Sequence, residues 1–288
     1  MTTEIGKRLN KFISESGFCS RRAADKLIEQ GQVTINDKVP ELGTKVMPGD
    51  VVKVDGKLVA AMPANKSDRI YIAYNKPTGI TCTTELDVRG NIIDAIGHKE
   101  RIFPIGRLDK PSEGLIFLTS DGDIVNKILR AENAHDKEYV VTVDTPISER
   151  FLARMARGVP ILGTVTKPCK VSMVGKYVFQ ITLTQGLNRQ IRRMCEYLGY
   201  EVTALKRTRI MSVSLADMRP GQWRNLNAQE MAEINEAVKT STKTAPADHK
   251  KINPSEPANP WAQVEAELNA QGPSKESSGT LSLKPKKD

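Results

Sequence analysis

Histidine is scarce in this chain, with three in 288 residues: His98, His135 and His249. None stands at ligand spacing, so neither a structural zinc site nor a histidine-centred nucleophile relay has its parts. The four cysteines, Cys19, Cys82, Cys169 and Cys195, include no Cys-x-x-Cys pair. They read as reduced thiols of a cytoplasmic protein. No apolar run approaches the ~20 residues that a membrane span needs. The opening Met1-Thr2-Thr3-Glu4-Ile5-Gly6-Lys7 lacks the apolar stretch of a signal peptide. Export and membrane residence are therefore not expected, and the cytoplasm is the expected location. A Gly-rich phosphate loop and a metal-ligand cluster are also missing, so no cofactor or metal is expected.

What the chain does have is positive charge. Its 43 Lys and Arg outnumber 34 Asp and Glu, for a formal net charge of +9. A basic balance favours polyanionic partners. Two local clusters matter more than the total. Lys7, Arg8, Lys11, Arg21, Arg22 and Lys26 dominate the first helical region. Arg189, Arg192, Arg193, Lys206, Arg207 and Arg209 dominate a second.

The length suggests about two domains at ~100–200 residues each. Residues 1–60 read as a compact module. Leu9, Phe12 and Ile13 give a short amphipathic helix stopped by Gly17. Ser20 caps a second helix with Ala23, Ala24, Leu27 and Ile28 inward, ended by Gly31. Short strands follow at Val33–Ile35 and Val51–Val54. Residues 61–68 read as a linker. Residues 69–239 show a mixed α+β pattern. Strands are predicted at Ile70–Tyr74, Leu115–Leu118, Glu138–Val143, Tyr177–Thr184, Glu201–Ala204 and near Ile210–Leu215. Helices are predicted after Ser120, where Ser120 to Asp123 resembles a capping box, from Asn188 to Gly199, and after Asn227. Strands outnumber helices and connections are short, which favours a mixed or antiparallel sheet. Residues 240–288, rich in Pro, Ser, Ala, Asn and Lys, read as a disordered tail.

Three segments of the central region carry chemistry. Asn75-Lys76-Pro77-Thr78-Gly79 closes a strand with turn residues. Gly106-Arg107-Leu108-Asp109-Lys110-Pro111-Ser112-Glu113-Gly114 runs into a buried strand and presents a carboxylate between two cations. Such a group serves as nucleophile or base without a metal; a salt-bridged turn is the alternative. In the third segment, Ile191, Met194, Cys195 and Leu198 form the core face of a helix. Arg192 flanks that face towards a cleft, whereas Arg189 and Arg193 point away from it, suited to RNA phosphates. A solvated basic helix fits the same pattern.

In series these motifs resemble the pseudouridine synthases. The matching residues are Asn75-Lys76-Pro77-x-Gly79, Gly106-Arg107-Leu108-Asp109-x-x-Ser112-x-Gly114-Leu115, Lys137-Glu138-Tyr139 and Gly186-x-Asn188-Arg189-Gln190-Ile191-Arg192-Arg193-Met194. They are similar to the RsuA branch, which modifies ribosomal RNA, and the first module resembles the S4-like RNA-binding domain of that branch. The resemblance implies an α+β fold in which an S4-like module precedes a mixed-sheet catalytic domain. It also implies an RNA isomerase acting on large-subunit (23S) ribosomal RNA, with tRNA as a further candidate substrate. Asp109 matches the catalytic aspartate, Arg192 the basic partner that pairs with it, and Tyr139 the aromatic residue that stacks on the target uracil. Ile191 matches the aliphatic residue on the base's other face, and Arg107 helps hold a flipped nucleotide. Asn75, Lys76, Arg189 and Arg193 join the substrate-binding set. Lys7, Arg8, Lys11, Arg21, Arg22 and Lys26 are expected to contact RNA. Gln185, Leu187 and Ser112 depart from the family pattern.

Isomerisation of uridine breaks the N1–C1′ bond and rejoins the base through C5, which needs no redox cofactor. Three roles are open to the carboxylate: attack at C6, attack at C1′, or removal of a ribose proton. A monomer without membrane contact is expected. Two other readings use the same residues. A non-catalytic RNA-binding or ribosome-assembly factor needs only the basic clusters. A metal-dependent hydrolase would recruit Asp121 and Asp123 beside Asp109.

Overall fold

The computed structural model describes residues 6–59, 69–129 and 134–241. The expected linker and all but the start of the expected tail lie outside the described residues. The first unit contains β1 (Lys7–Arg8), α1 (Leu9–Glu15), α2 (Arg21–Glu29), β2 (Val33–Ile35), β3 (Lys45–Val46), β4 (Val52–Val54) and β5 (Lys57–Leu58). Ser20 caps α2 by accepting the Ala23 amide hydrogen at 3.1 Å, as its position before an apolar-periodic run predicts. Strands β2, β4 and β5 form an antiparallel sheet, and β1 pairs with β3. Among the described residues the core, built around Leu9, Ile13, Ala24, Ile28, Val33 and Val54, is supplied from within this unit.

The second unit follows as β6 (Tyr71–Lys76), α3 (Ile92–Ile96), β7 (Phe103–Ile105), β8 (Glu113–Thr119), α4 (Gly122–Leu129), β9 (Lys137–Val143), α5 (Glu149–Arg157), β10 (Pro160–Ile161), β11 (Thr164–Val165), β12 (Lys170–Gly175), β13 (Val178–Leu183), α6 (Gln190–Tyr197), β14 (Val202–Ile210), β15 (Val213–Ser214), β16 (Trp223–Asn225) and α7 (Ala228–Ala237). Its main sheet runs β12-β13-β9-β14-β8-β6-β16, with β15 and β7 paired beside β14 and β8. Neighbours are antiparallel except β14 and β8, which run parallel through Lys206–Glu113 and Arg207–Gly114. The sheet is thus mixed, as the strand-rich pattern predicts. Strand β8 is buried on both faces. Leu115 and Phe117 join the core that holds α4 and α7, whereas Ile116 and Leu118 join the core around α3. That double burial explains its unbroken apolar run. Among the described residues no helix is long and apolar enough to cross a membrane.

Several boundaries differ from the sequence reading. The two strands expected at Glu201–Ala204 and Ile210–Leu215 are one nine-residue strand, β14, with a hairpin to β15. Its basic stretch hides the apolar period, and the cations are met in place: Arg209 pairs with Glu138 at 3.3 Å, and the Arg207 Nε donates to the Leu115 carbonyl at 2.6 Å. Helix α5 has no counterpart in the sequence reading, although Ser148 caps it through the Phe151 amide at 3.1 Å. The capping box expected at Ser120 does not form. The Ser120 hydroxyl accepts from the Ile70 amide, and the Asp121 carboxylate caps the Asp123 amide instead. By contrast, Asn227 and Glu230 form a complete capping box on α7.

The two units meet through polar ties. The Lys11 ammonium reaches the Asp123 carboxylate at 2.8 Å, and the Arg101 guanidinium donates to the Ser14 carbonyl at 2.9 Å.

At the parallel junction, Gly114 has φ +110°, and a Cβ placed there would lie 2.2 Å from the Arg207 carbonyl oxygen and 2.6 Å from its nitrogen. Backbone on both sides leaves nothing flexible to yield. Gly114→Ala is expected to destabilise the protein by about 2–4 kcal/mol. Urea unfolding checks this, and a loss under ~0.5 kcal/mol would contradict so close an approach.

Candidate active site

The Gly106–Ser112 loop joins β7 to β8, and its shape is imposed from outside. Gly79 donates its amide to the Lys110 carbonyl at 2.8 Å, and the Leu108 amide donates to the Cys82 sulfur at 3.4 Å. The Ser112 amide closes the turn onto the Asp109 carbonyl at 3.0 Å. Beneath lies Lys76, with 0% of its surface exposed, whose ammonium donates to the carbonyls of Pro77 at 2.8 Å and Ile80 at 2.9 Å. Burial lowers its pKa, while Cys82, Asp109 and Glu113 oppose the fall. Asn75 is equally buried and donates to the Met218 carbonyl at 2.7 Å. Both were expected to bind substrate. The structure instead places them under the loop, where the end of β6 holds the turn that clamps it.

Asp109 lies at a cavity of about 100 Å³, walled by Tyr139, Leu187, Ile191 and Leu205. A second cavity of about 520 Å³ shares Asp109 and Tyr139 and extends to Cys82, Lys137 and Arg207. The structure therefore brings Asp109, Arg107, Tyr139, Arg189, Ile191 and Arg192 together at one site. The Asp109 side chain is 36% exposed, within reach of an incoming ligand.

The arginines take roles different from those expected. The ion pair to Asp109 comes from Arg189, whose Nη1 lies 3.5 Å from the carboxylate. Arg189 precedes α6 with φ +49°, and this left-handed turn brings its side chain to Asp109 instead of leaving it directed away. Arg192 holds scaffold: Nη1 donates to the Val202 carbonyl at 3.0 Å and Nη2 to the Ser112 hydroxyl at 3.2 Å. Burial lowers its pKa, Arg189 lowers it further, and the Asp109 charge counters both. Arg192 thus acts on Asp109 through the loop end and through the field, not as its direct partner. Arg193 folds back onto the Asn188 carbonyl at 3.1 Å.

In the first unit, Lys7 pairs with Glu15 at 2.6 Å and Arg21 donates to Asn10 at 3.3 Å. Arg8, Arg22 and Lys26 are exposed. Lys11, expected to meet RNA, is engaged by Glu15 at 3.4 Å and by Asp123. The residues of the hydrolase reading are also taken: Asp121 binds Arg69 at 2.6 Å and the Tyr71 hydroxyl at 2.8 Å. Among the described residues no group of three or more His, Cys, Asp or Glu is placed to hold a metal.

Residues 70–197 match the family model for RNA pseudouridylate synthase, and residues 7–52 match that for the S4 domain. The chain is 58% identical over 245 residues to the dual-specificity RNA pseudouridine synthase RluF of Salmonella typhi, covering 85% of this chain and 84% of that one. The chain belongs to the RNA pseudouridine synthase family. A more distant member, the ribosomal large subunit pseudouridine synthase B of Bacillus subtilis strain 168, is 32% identical over 237 residues, covering 79% of this chain and 95% of that one. A crystal structure of a pseudouridylate synthase superposes with a TM-score of 0.59 at 28% identity, covering 79% of this chain and 99% of that one. An S4 unit ahead of the synthase domain agrees with the RsuA branch.

Two residues of this synthase's site carry no role in the sequence reading. Arg207 is 4% exposed, and its guanidinium lies 5.9 Å from the centre of the Tyr139 ring, so it backs the cavity wall. Its Nη2 has no hydrogen-bond partner among the described residues. Lys137 is 6% exposed, donates to the His135 carbonyl at 3.1 Å, and lines the same cavity. For Arg207 the available signal is the Lys-Arg-Thr-Arg run of β14, which in sequence registers only as charge; for Lys137 it is the Lys137-Glu138-Tyr139 motif at the start of β9.

Burial, reinforced by Arg207, pulls the Lys137 pKa down to about 8. Between that value and the ~10.4 of an unfolded lysine, the unfolded chain binds more protons, so this group makes stability rise with pH from about 8 to 10. The slope is at most about 1.4 kcal/mol per pH unit. Lys137→Met should flatten the rise in denaturation curves taken across that range. Parallel curves for the two proteins would contradict the shift.

Proposed function

We propose that this synthase isomerises uridine to pseudouridine at a defined site in ribosomal RNA, that of the large subunit, with Asp109 as the catalytic carboxylate and tRNA as a second substrate. It acts as a cytoplasmic monomer. The observation that carries the reading is the Asp109 carboxylate beside a small cavity with an aromatic wall at Tyr139 and an aliphatic wall at Ile191. The names of two relatives support an RNA substrate: one is called a dual-specificity RNA pseudouridine synthase, and another is named for the ribosomal large subunit.

The chemistry needs the base out of its stack. Extrusion costs a few kcal/mol in a duplex and less in a loop, and stacking on an aromatic ring returns roughly 1–3 kcal/mol. Tyr139 offers that ring, and the Arg207 guanidinium beside it favours a ring held in place. Arg107, exposed next to Asp109, helps hold the nucleotide flipped out. Arg189 balances the carboxylate charge and orients it for work at the nucleoside. The N1–C1′ bond breaks and a C5–C1′ bond forms. C5 loses one proton and N1 gains one, so atoms and electrons balance without a further reactant.

Asp109→Asn should lower pseudouridine formation by at least about 10²–10⁴-fold, with RNA affinity kept within a few-fold. Chemical mapping of ribosomal RNA from cells with and without the gene identifies the site. Identical maps would leave the non-catalytic RNA-binding reading in place.

The exposed cations Arg8, Arg21 and Arg22 are assigned to RNA phosphates. Replacing all three with Gln should weaken binding and reduce the slope of log affinity against log salt by about 0.7 for each phosphate no longer neutralised. An unchanged slope would move the RNA path elsewhere.

A further inference from the structure

Among the described residues the first unit and the synthase domain share no apolar core: every such residue of the module's core cluster comes from the module. Between them lies a cavity of about 420 Å³, lined by Lys11, Ser14, Arg21, Arg101, Phe103 and Asp123. Across this loosely packed boundary run the Lys11–Asp123 ion pair at 2.8 Å and the Arg101–Ser14 bond at 2.9 Å. Where packing is thin, the relative placement of two domains rests on such ties. Burial pulls the Lys11 pKa down, but Asp123 and Glu15 outweigh it and raise it, so the ammonium stays charged in its place.

The far side of the tie is anchored to the catalytic loop. Asp123 stands in the first turn of α4, whose Ile124 and Ile128 pack into the core shared with Leu115 and Phe117 of β8. At its other end Leu129 lies so close to Gly106 that a Cβ there would be 2.8 Å from Leu129 Cδ2. Gly106 opens the loop that carries Asp109. One rigid element therefore links the module's contact to the loop.

We propose that the Lys11–Asp123 ion pair, with the Arg101–Ser14 bond beside it, is a positioning contact that sets the S4 unit relative to Asp109 and thereby selects which uridine enters the pocket. An RNA anchored on the module then presents to Asp109 only a uridine at the matching distance and angle. The inference rests on the RNA-modifying function proposed above in naming uridine as the selected group.

The test uses the full chain as wild type, Asp123→Asn, Asp123→Lys, and the charge swap Lys11→Asp with Asp123→Lys. Two RNAs are compared: a stem-loop carrying only the target uridine, and a long large-subunit rRNA transcript that also spans the module. For both Asp123 variants, kcat on the stem-loop is expected within about twofold of wild type. On the long transcript, KM rises about two- to fivefold for Asp123→Asn and further for Asp123→Lys, and uridines near the target become modified. The charge swap restores KM and the site. Amide hydrogen exchange without RNA gives an independent reading. The 9–16 segment, in a different unit from Asp123, should lose protection in Asp123→Lys and regain it in the swap.

Unchanged exchange in that segment, unchanged site selection, or a swap no better than Asp123→Lys alone would each overturn the proposal. Tighter binding of the long transcript by Asp123→Asn would also overturn it, since Lys11 would then be a phosphate contact held back by Asp123. A wild-type protein that forms no pseudouridine in either RNA would defeat the functional reading instead. The exchange measurement, which needs no RNA, would still decide whether the tie holds the module.

Discussion

Everything at the active site depends on how closely the backbones of β8 and β14 approach at Gly114 and Arg207. This is the parallel contact in an otherwise antiparallel path, and it joins two halves of the sheet whose cores both pack against Tyr139. One half brings β6 and β8, with the Asp109 loop at the start of β8. The other brings β9 with Tyr139 and, through α6, Arg189, Ile191 and Arg192. The register Arg207–Gly114 on one side of β14 and Arg207–Tyr139 on the other places one residue between loop and aromatic wall. A side chain at 114 would push the halves apart, and with them the carboxylate and the ring.

Charge is organised around the same junction. Asp109 sits among the cations Arg107, Arg189, Arg192, Arg207, Lys76 and Lys137, several of them buried. Burial is the largest influence on Lys76, Lys137 and Arg192, and in each case it lowers the pKa. Desolvated cations project their field further than hydrated ones. The surroundings therefore present a positive field to a polyanionic ligand. Buried cations without matched carboxylates are costly, and here the cost is offset by bonds to backbone carbonyls at Pro77, Ile80, His135, Leu115 and Val202.

Much of this was legible in the chain because local rules apply where local forces dominate. Ser20 and Asn227 precede apolar-periodic runs and cap helices. The run Leu115–Leu118 is a doubly buried strand, and Gly106–Gly114 is the functional loop in front of it. Legibility failed where tertiary partners rewrote local signals. The basic stretch in β14 looks like the break between two strands because its cations find their partners far away in sequence: Arg209 pairs with the Glu138 carboxylate and Arg207 donates to the Leu115 carbonyl. Ser120 was available as a cap, but Ile70, fifty residues earlier, claimed its hydroxyl.

The order of motifs and the types of residue in them pointed to the family and the domain order and singled out Asp109 as the candidate carboxylate. These follow from the resemblance that the motifs carry in series, which the chain shows without folding. Only the tertiary structure decided which cation meets that carboxylate. Helical spacing turned Arg189 outward, but a left-handed turn at one residue redirected it, while Arg192 found nearer acceptors at Val202 and Ser112. Asn75 and Lys76 are likewise placed by the fold, which closes over them and gives them backbone carbonyls as partners. Lys11 meets a carboxylate, Asp123, that lies 112 residues away in the chain. Charge and motif are properties of sequence, whereas partnership is a property of distance.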